Sequence, residues 1–139
     1  MTCINLVNPN ELPDQLLFIE YRGLPKVFER VRSNLEKGKT LHDLKIPNSY
    51  KFGEGHMTFF YNKLKFLVQR QKELSEELIR RGWNISNTEI IDISDIPVQF
   101  QNNFIPSDDD INLSRDKLRT WINESNHYRW TNSTKPIWL

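Results

Sequence analysis

Cysteine is nearly absent from the chain, and no apolar stretch approaches the roughly 20 residues needed to span a membrane. Cys3 is the single cysteine, so no internal disulfide can form, which favours a reducing intracellular compartment. The first residues lack the basic region and the apolar region of a secretory signal. We therefore expect a cytoplasmic protein that does not associate with membranes.

The common metal and nucleotide motifs are also missing. The three histidines, His42, His56 and His127, lie too far apart in the sequence for HxxxH spacing, and no CxxC pair exists. Neither a G-x-G-x-x-G loop nor a Walker lysine motif occurs. The "GEGH" string at residues 53–56 is read as a turn. The sequence therefore predicts no metal site and no cofactor.

Length and composition are those of a single globular unit. The 139 residues are 37% hydrophobic and 27% charged, with a net charge of only +1. A chain of this length can bury one core without metals or disulfides, so we expect one domain over residues 1–139. A net charge this small does not indicate a nucleic-acid partner. Evidence for such a partner must therefore come from how the charged residues are distributed along the chain.

Hydrophobic periodicity predicts three helices, at residues 13–37, 57–82 and 106–125. Gly38 and Gly82 should end the first two, and Ser107 should cap the third. Pro25 predicts a kink near Tyr21 and Arg22. The segment between the second and third helices reads as an irregular wrap with one short strand at residues 89–93. The expected fold is mainly α, a single compact domain of three helices with long irregular loops.

Cations and aromatic side chains gather in two places. Arg22, Lys26 and Arg30 share one face of the first helix, where they could contact phosphates or simply face solvent. The tail combines Tyr128, Arg129 and Trp130, a mixture of stacking rings and charge that is typical of nucleic-acid surfaces, although such rings can also pack a tail onto helices.

The start of the chain offers a nucleophile. Thr2 is small enough to permit removal of Met1, which would expose an α-amine with a pKa of roughly 7.7–8.0. Such an amine can attack carbon and form an imine. The sequence does not decide whether Met1 is removed.

Several strings occur together in a characteristic order: "INL" at residues 4–6, "PDQ" at 13–15, "EYRGLPKVFERVR" at 20–32, "GHMTFFYNKLKFLVQRQKEL" at 55–74, "RGWNI" at 81–85 and "DISDIPVQF" at 92–100. With these strings the chain resembles the pyrimidine-dimer DNA glycosylases of the phage endonuclease V type. The resemblance covers most of the chain and weakens after about residue 105. It implies a compact helical monomer that binds damaged double-stranded DNA in a bacterial or virus-infected cell.

The resemblance also implies a reaction and a set of site residues. The terminal amine of Thr2 would attack the sugar carbon that carries the damaged base, forming a Schiff base, and β-elimination would then cut the strand. Arg22, Lys26 and Lys117 would contact phosphates, and the tail from Tyr128 to Trp130 would match an aromatic and basic segment of the family.

Gly23 is the main departure from the family pattern, because the family carries a catalytic glutamate after the Tyr-Arg pair. Cys3, Leu16 and Trp121 also stand where the family usually has an arginine, a histidine and a basic residue. Whether the chain is an enzyme therefore stays open.

Three hypotheses remain. In the first, the chain is an active glycosylase with AP lyase activity in which Glu54, or less plausibly Glu20, supplies the acid. In the second, it is a catalytically impaired protein that still binds DNA. In the third, the same scaffold acts on a different modified base or binds a protein partner.

Overall fold

The fold was examined in a computed structural model that describes residues 3–85 and 90–139. Its α-helices are α1 (Asp14–Gly23), α2 (Pro25–Glu36), α3 (Leu41–Leu44), α4 (Leu64–Arg80) and α5 (Asp108–Asn123). Short 3₁₀ turns occur at Pro9–Glu11, Thr58–Phe60 and Val98–Phe100. The described residues contain no strand beyond an isolated bridge between Lys63 and Gln101. The prediction of a mainly α fold is confirmed.

The predicted first helix is two helices that meet at Leu24. Leu24 keeps helical dihedrals, and Pro25 is the first residue of α2, a position that needs no backbone N–H donor. The two helices are thus separated at Leu24, close to Tyr21 and Arg22, near which the kink was predicted. The Tyr21 carbonyl, which would normally accept from residue 25, instead accepts a hydrogen bond from Gln71 Nε2 of α4 at 3.0 Å.

Most predicted helix ends are confirmed. Gly38 and Gly82 adopt left-handed φ angles of +76° and +94° just after α2 and α4. Ser107 accepts from the Asp110 N–H at the start of α5, and the Asp110 carboxylate accepts from the Ser107 N–H. The second helix was predicted to begin too early, because residues 57–63 form turns before α4 starts at Leu64.

The predicted short strand is wrong where it can be tested. Residues 90–93 are not in a strand, and Glu89 lies outside the described residues. The following loop is held to α2 by Arg32, whose guanidinium contacts the Asp95 carboxylate at 3.0 and 3.1 Å and the Asp92 carbonyl at 2.9 Å. Side-chain contacts thus replace a β-ladder in fixing this segment.

The core lies between α1, α2, α4 and α5, and α1 packs directly against α4. Its fully buried side chains come from every part of the chain: Ile4, Leu12, Leu17, Leu24, Phe28, Leu64, Leu67, Leu74, Leu78, Phe60, Phe100 and Leu118. No helix in the described ranges is long and apolar enough to cross a membrane.

A buried charge cluster joins α1, α4 and the tail. The Arg81 side chain contacts Asp14 at 2.9 Å and Glu77 at 2.8 Å. Burial raises the pKa of the Asp14 carboxyl, but hydrogen bonds from Thr131 and the Arg81 guanidinium outweigh it and leave that pKa below its ordinary value. The tail is thus attached to the helices through satisfied charges, the condition under which buried ions are tolerated.

Tail aromatics complete this attachment. Trp130 Nε1 donates to the Glu11 carbonyl at 2.9 Å, and Trp138 Nε1 donates to the Glu11 carboxylate at 2.7 Å. The guanidinium carbons of Arg115 and Arg119 each lie 5.4 Å from the centre of the Trp138 ring. The last residues therefore cover the outer side of α5.

Candidate active site

The start of the chain is extended, and its backbone is bonded to buried side chains instead of a neighbouring strand. The Ile4 N–H donates to His56 Nε2 at 2.8 Å, and the Ile4 carbonyl accepts from the Tyr50 hydroxyl at 2.7 Å. The Asn5 N–H donates to Glu20 at 3.1 Å, and the Leu6 N–H to Ser114 Oγ at 3.0 Å. Three separate parts of the chain, namely α1, the loop from Tyr50 to His56 and α5, therefore fix where the N-terminal segment lies.

His56 is held as a neutral ring. Because Nε2 accepts from Ile4, the proton must be on Nδ1, which donates to the Lys51 carbonyl at 2.6 Å. Burial lowers the pKa of His56, although the Lys51 carbonyl and the charge of Glu20 act in the opposite direction. Phe52 stacks on the ring at a centroid distance of 4.9 Å. This histidine therefore acts as a hydrogen-bond bridge between the 51–56 loop and the chain start.

Glu20 is buried and fully engaged. Its carboxylate accepts from Arg70 Nε at 2.7 Å and from Asn5 Nδ2 at 3.0 Å, and its side chain is 1% exposed. Arg70 in turn donates to the Val7 carbonyl. A carboxylate so occupied serves to position the chain start, and it is poorly placed to donate or accept a proton in a reaction.

The anchored segment leads into a cationic cavity of about 480 Å³. Lys26, Arg30 and Lys117 line it, and Phe52 and Trp121 supply ring surfaces. The remaining lining residues are Cys3, Gly53, Gly55, His56, Met57 and Thr58, so no carboxylate side chain lines the cavity among the described residues. A cavity with three cations and no described acid is suited to an anionic ligand.

Lys117 lies over the aromatic part of this cavity. Its Nζ is 5.8 Å from the centre of the Phe52 ring and 5.7 Å from that of Trp121. Arg30 contacts the Met57 sulfur at 3.6 Å. Lys26, Arg30 and Lys117 form no ion pair with the described residues, so their charges are available to a ligand.

A second, smaller cavity of about 210 Å³ adjoins the first and shares Cys3 and Trp121 with it. Its other lining residues are Asn5, Leu16, Ile19 and Tyr128. Burial raises the pKa of the Cys3 thiol, and the charge of Glu20 adds to that effect. Cys3, Leu16 and Trp121, which the sequence presents as separate departures, therefore line one concave surface.

The predicted DNA-contacting residues fall into three groups. Lys26, Arg30 and Lys117 meet at the cationic cavity, and Tyr128 lines the smaller cavity. Arg22 lies on α1 before the helix break and does not line the cationic cavity; its guanidinium carbon is 5.6 Å from the centre of the Phe18 ring.

Arg129 and Trp130 lie in neither cavity. Arg129 contributes backbone groups, accepting from the Asp14 N–H at 2.6 Å and donating to Gln15 Oε1 at 3.2 Å.

The three positions that bear on catalysis, Thr2, Gly23 and Glu54, differ in how they lie relative to the two cavities. Thr2 lies outside the described residues, but it is bonded directly to Cys3, which lines both cavities. Gly23 is buried in the last turn of α1. Glu54 is exposed on the loop between Gly53 and Gly55, and it is not among the residues that line the cationic cavity.

Sequence reasoning missed the residues that hold the chain start. The sequence presents His56 within the 53–56 turn and a family string, and Asn5 within another string, but it gives neither of them, nor Tyr50 or Ser114, an anchoring role. Local spacing cannot reveal the contacts of His56, Tyr50 and Ser114 with the chain start, because they join residues 52, 46 and 108 positions apart. The family string that contains His56 was the available signal.

A comparison with protein families identifies the family of the chain. The family model described as pyrimidine dimer DNA glycosylase covers residues 1–90, which include the anchored start, Gly23 and the loop that carries His56. This match supports DNA repair of the pyrimidine-dimer glycosylase type, with DNA as the bound substrate.

Proposed function

Because the chain belongs to the pyrimidine dimer DNA glycosylase family, we propose that it acts on damaged double-stranded DNA as a glycosylase with AP lyase activity. The nucleophile is the terminal amine of Thr2, exposed by removal of Met1. The protein acts as a single-domain monomer in the cytoplasm, without a metal or cofactor.

The reaction begins when the neutral amine attacks C1′ of the target nucleotide. The bond from C1′ to the base breaks, and the base leaves with that electron pair and takes up the proton that the attacking nitrogen releases. The C1′–O4′ bond then breaks, O4′ takes up a proton from water, and the nitrogen lone pair forms an iminium that links the protein to the opened sugar. Loss of a proton from C2′ then expels the 3′ phosphate, which cuts the strand. Lys26, Arg30 and Lys117 hold the flanking phosphates, and they favour the neutral form of a nearby amine by charge repulsion.

The anchoring of the chain start is the observation that carries this proposal. The Ile4 N–H donates to His56, the Ile4 carbonyl accepts from Tyr50, and the Asn5 N–H donates to Glu20. These bonds secure the segment that follows Cys3, which lines a cavity containing three cations. Thr2 is the next residue along the chain. An anchored terminus beside a phosphate-binding surface is what nucleophilic attack by an α-amine requires.

Borohydride trapping tests the proposal. The protein is incubated with duplex DNA that contains one abasic site, in the presence of borohydride, and the adduct is located by peptide mass spectrometry. We expect a covalent adduct on a peptide that begins at Thr2. A Thr2→Leu variant, whose larger second residue should retain Met1, should bind the duplex but form no adduct. An adduct on another residue, or none with the parent protein, would refute the assigned nucleophile.

A second candidate is a protein that binds damaged DNA without chemistry. The absence of a described carboxylate from the cationic cavity favours it, since Gly23 supplies none, Glu20 is paired with Arg70, and Glu54 lies outside the lining. Nicking of ultraviolet-irradiated plasmid separates the two candidates. Loss of nicking in Glu54→Gln would assign the acid to Glu54, whereas binding without nicking or trapping would establish the second candidate.

A further inference from the structure

The smaller cavity differs chemically from the cationic one beside it. Leu16, Ile19 and Trp121 give it an apolar wall, and Tyr128 adds a second aromatic ring. Asn5 also lines this cavity, and its side-chain amide already has partners within the protein. Asn5 Nδ2 donates to Glu20 at 3.0 Å, and Asn5 Oδ1 accepts from Ser114 at 3.4 Å. Burial raises the pKa of the Cys3 thiol, so that group is neutral as well.

The two cavities share Cys3 and Trp121 as lining residues, so the apolar cavity lies directly beside the cationic one. A volume of about 210 Å³ lies below the roughly 300–1,000 Å³ range of pockets that hold drug-sized molecules. The space therefore suits one ring system. Flat rings stack on Trp and Tyr whatever their hydrogen-bonding pattern.

We propose that this apolar cavity, formed by Leu16, Ile19, Trp121 and Tyr128, receives an uncharged planar ring of the nucleotide whose phosphates contact Lys26, Arg30 and Lys117. The ring is recognised by its face and its hydrocarbon edge, so the favoured substrate class is a base whose polar edge is lost or covered by hydrocarbon. This inference rests on the proposed function and specifies the substrate class of the same site.

A duplex carrying one phenyl C-nucleotide tests this directly, because the benzene ring on C1′ cannot form hydrogen bonds or be released as a base. Its affinity is compared with that of the same duplex carrying a tetrahydrofuran abasic analogue and with that of unmodified duplex. We expect the phenyl duplex to bind about tenfold more tightly than the tetrahydrofuran duplex, a difference of about 1.4 kcal/mol.

Leu16→Asn and Ile19→Asn should each reduce that preference to about twofold or less by placing an amide in the apolar wall. Ile19 is 48% exposed, so this variant should still fold. Ile105→Asn is the matched control, because Ile105 is 85% exposed and lies outside both cavities, and it should keep the full preference.

Alkylation of Cys3, the single thiol, gives a second measurement on the parent protein alone. At saturating DNA, the phenyl duplex should slow alkylation more than the tetrahydrofuran duplex does. Equal affinity and equal protection by the two modified duplexes would overturn the apolar subsite but leave the proposed function intact. Binding no tighter than to unmodified duplex would instead refute the proposed function, and the subsite with it.

Discussion

Gly23 ends α1 and is buried, although nothing in its helical backbone requires glycine. Glycine in a helix costs about 1 kcal/mol relative to alanine, and this one contributes neither a charge nor a proton to the site. The position lies one helical turn after Glu20, whose carboxylate is occupied by Arg70 and Asn5. Glu20 therefore does not stand in for the glutamate that the family resemblance implies at position 23.

Gly23→Glu should increase nicking of DNA that contains pyrimidine dimers by about 10²-fold, the lower end of general acid–base effects. Gly23→Gln is the matched control, since it has nearly the same size but cannot ionise, and its rate should stay at the parental level. The measurement is the initial rate of nicking of ultraviolet-irradiated plasmid. Equal rates for the two variants would mean that the carboxylate has no role at this position.

His56 links stability to pH. Burial lowers its pKa, so the unfolded chain binds a proton at a pH where the folded chain does not. Stability from this group is present above the ordinary histidine pKa of about 6.5 and is lost as the pH falls below it.

The free energy of unfolding should therefore fall by about 1 kcal/mol between pH 7.5 and 5.5. His56→Gln should show a weaker dependence over this range, because glutamine can accept from Ile4 without titrating. Urea denaturation of both proteins at the two pH values measures the difference. A parent and variant with identical pH slopes would contradict the assignment to His56.

At the scale of the element, the junction of α1 and α2 depends on a contact from α4. Pro25 cannot donate to the Tyr21 carbonyl, and Gln71 Nε2 provides the missing hydrogen bond at 3.0 Å. The junction is therefore tied to a neighbouring helix and does not depend on the proline alone.

Gln71→Leu should lower the free energy of unfolding by about 1–2 kcal/mol, because it leaves a partly buried carbonyl without that donor. Pro25→Ala restores an intrahelical N–H donor to that carbonyl. The cost of Gln71→Leu should consequently shrink when Pro25→Ala is also present, as measured by a double-mutant cycle in urea. Simple additivity of the two substitutions would argue against this account of the junction.

Helices were the part of the fold that sequence periodicity predicted best. Leu64, Leu67, Leu74 and Leu78 recur on one face and are all buried. The start of that helix was misplaced because Phe59 and Phe60 are also buried, and a 3₁₀ turn presents apolar residues much as a helix does. The irregular segment at residues 90–106 shows no hydrophobic periodicity in its sequence. It is held by single side-chain contacts, such as that of Arg32 with Asp95, and such contacts need no regular spacing.

At the scale of the whole molecule, the sequence could suggest only part of the candidate site. Lys26 and Arg30 are four residues apart on one helix, so their proximity follows from helix geometry. Lys117, Cys3 and Trp121 reach the same cavity from distant parts of the chain, and no local spacing reveals that meeting. The two cavities exist because segments that are distant in the sequence converge, which only the tertiary structure shows.

The convergence of cations predicts how DNA binding responds to salt. Lys26→Gln, Arg30→Gln and Lys117→Gln should each make the negative slope of log affinity against log salt shallower by about 0.9. Lys72→Gln is the control, because Lys72 does not line the cavity and its Nζ lies 4.0 Å from Glu76. Fluorescence anisotropy over a salt series measures the slopes, and an unchanged slope in all three variants would exclude the cavity as the phosphate contact surface.

The contact between Leu6 and Ser114 joins residues 108 positions apart. Contacts of Ile4 and Asn5 with Glu20, Tyr50 and His56 need only the first 56 residues, whereas Leu6 gains its partner when α5 has been translated. The N-terminal segment of a nascent chain therefore acquires its last anchoring contact near the end of synthesis.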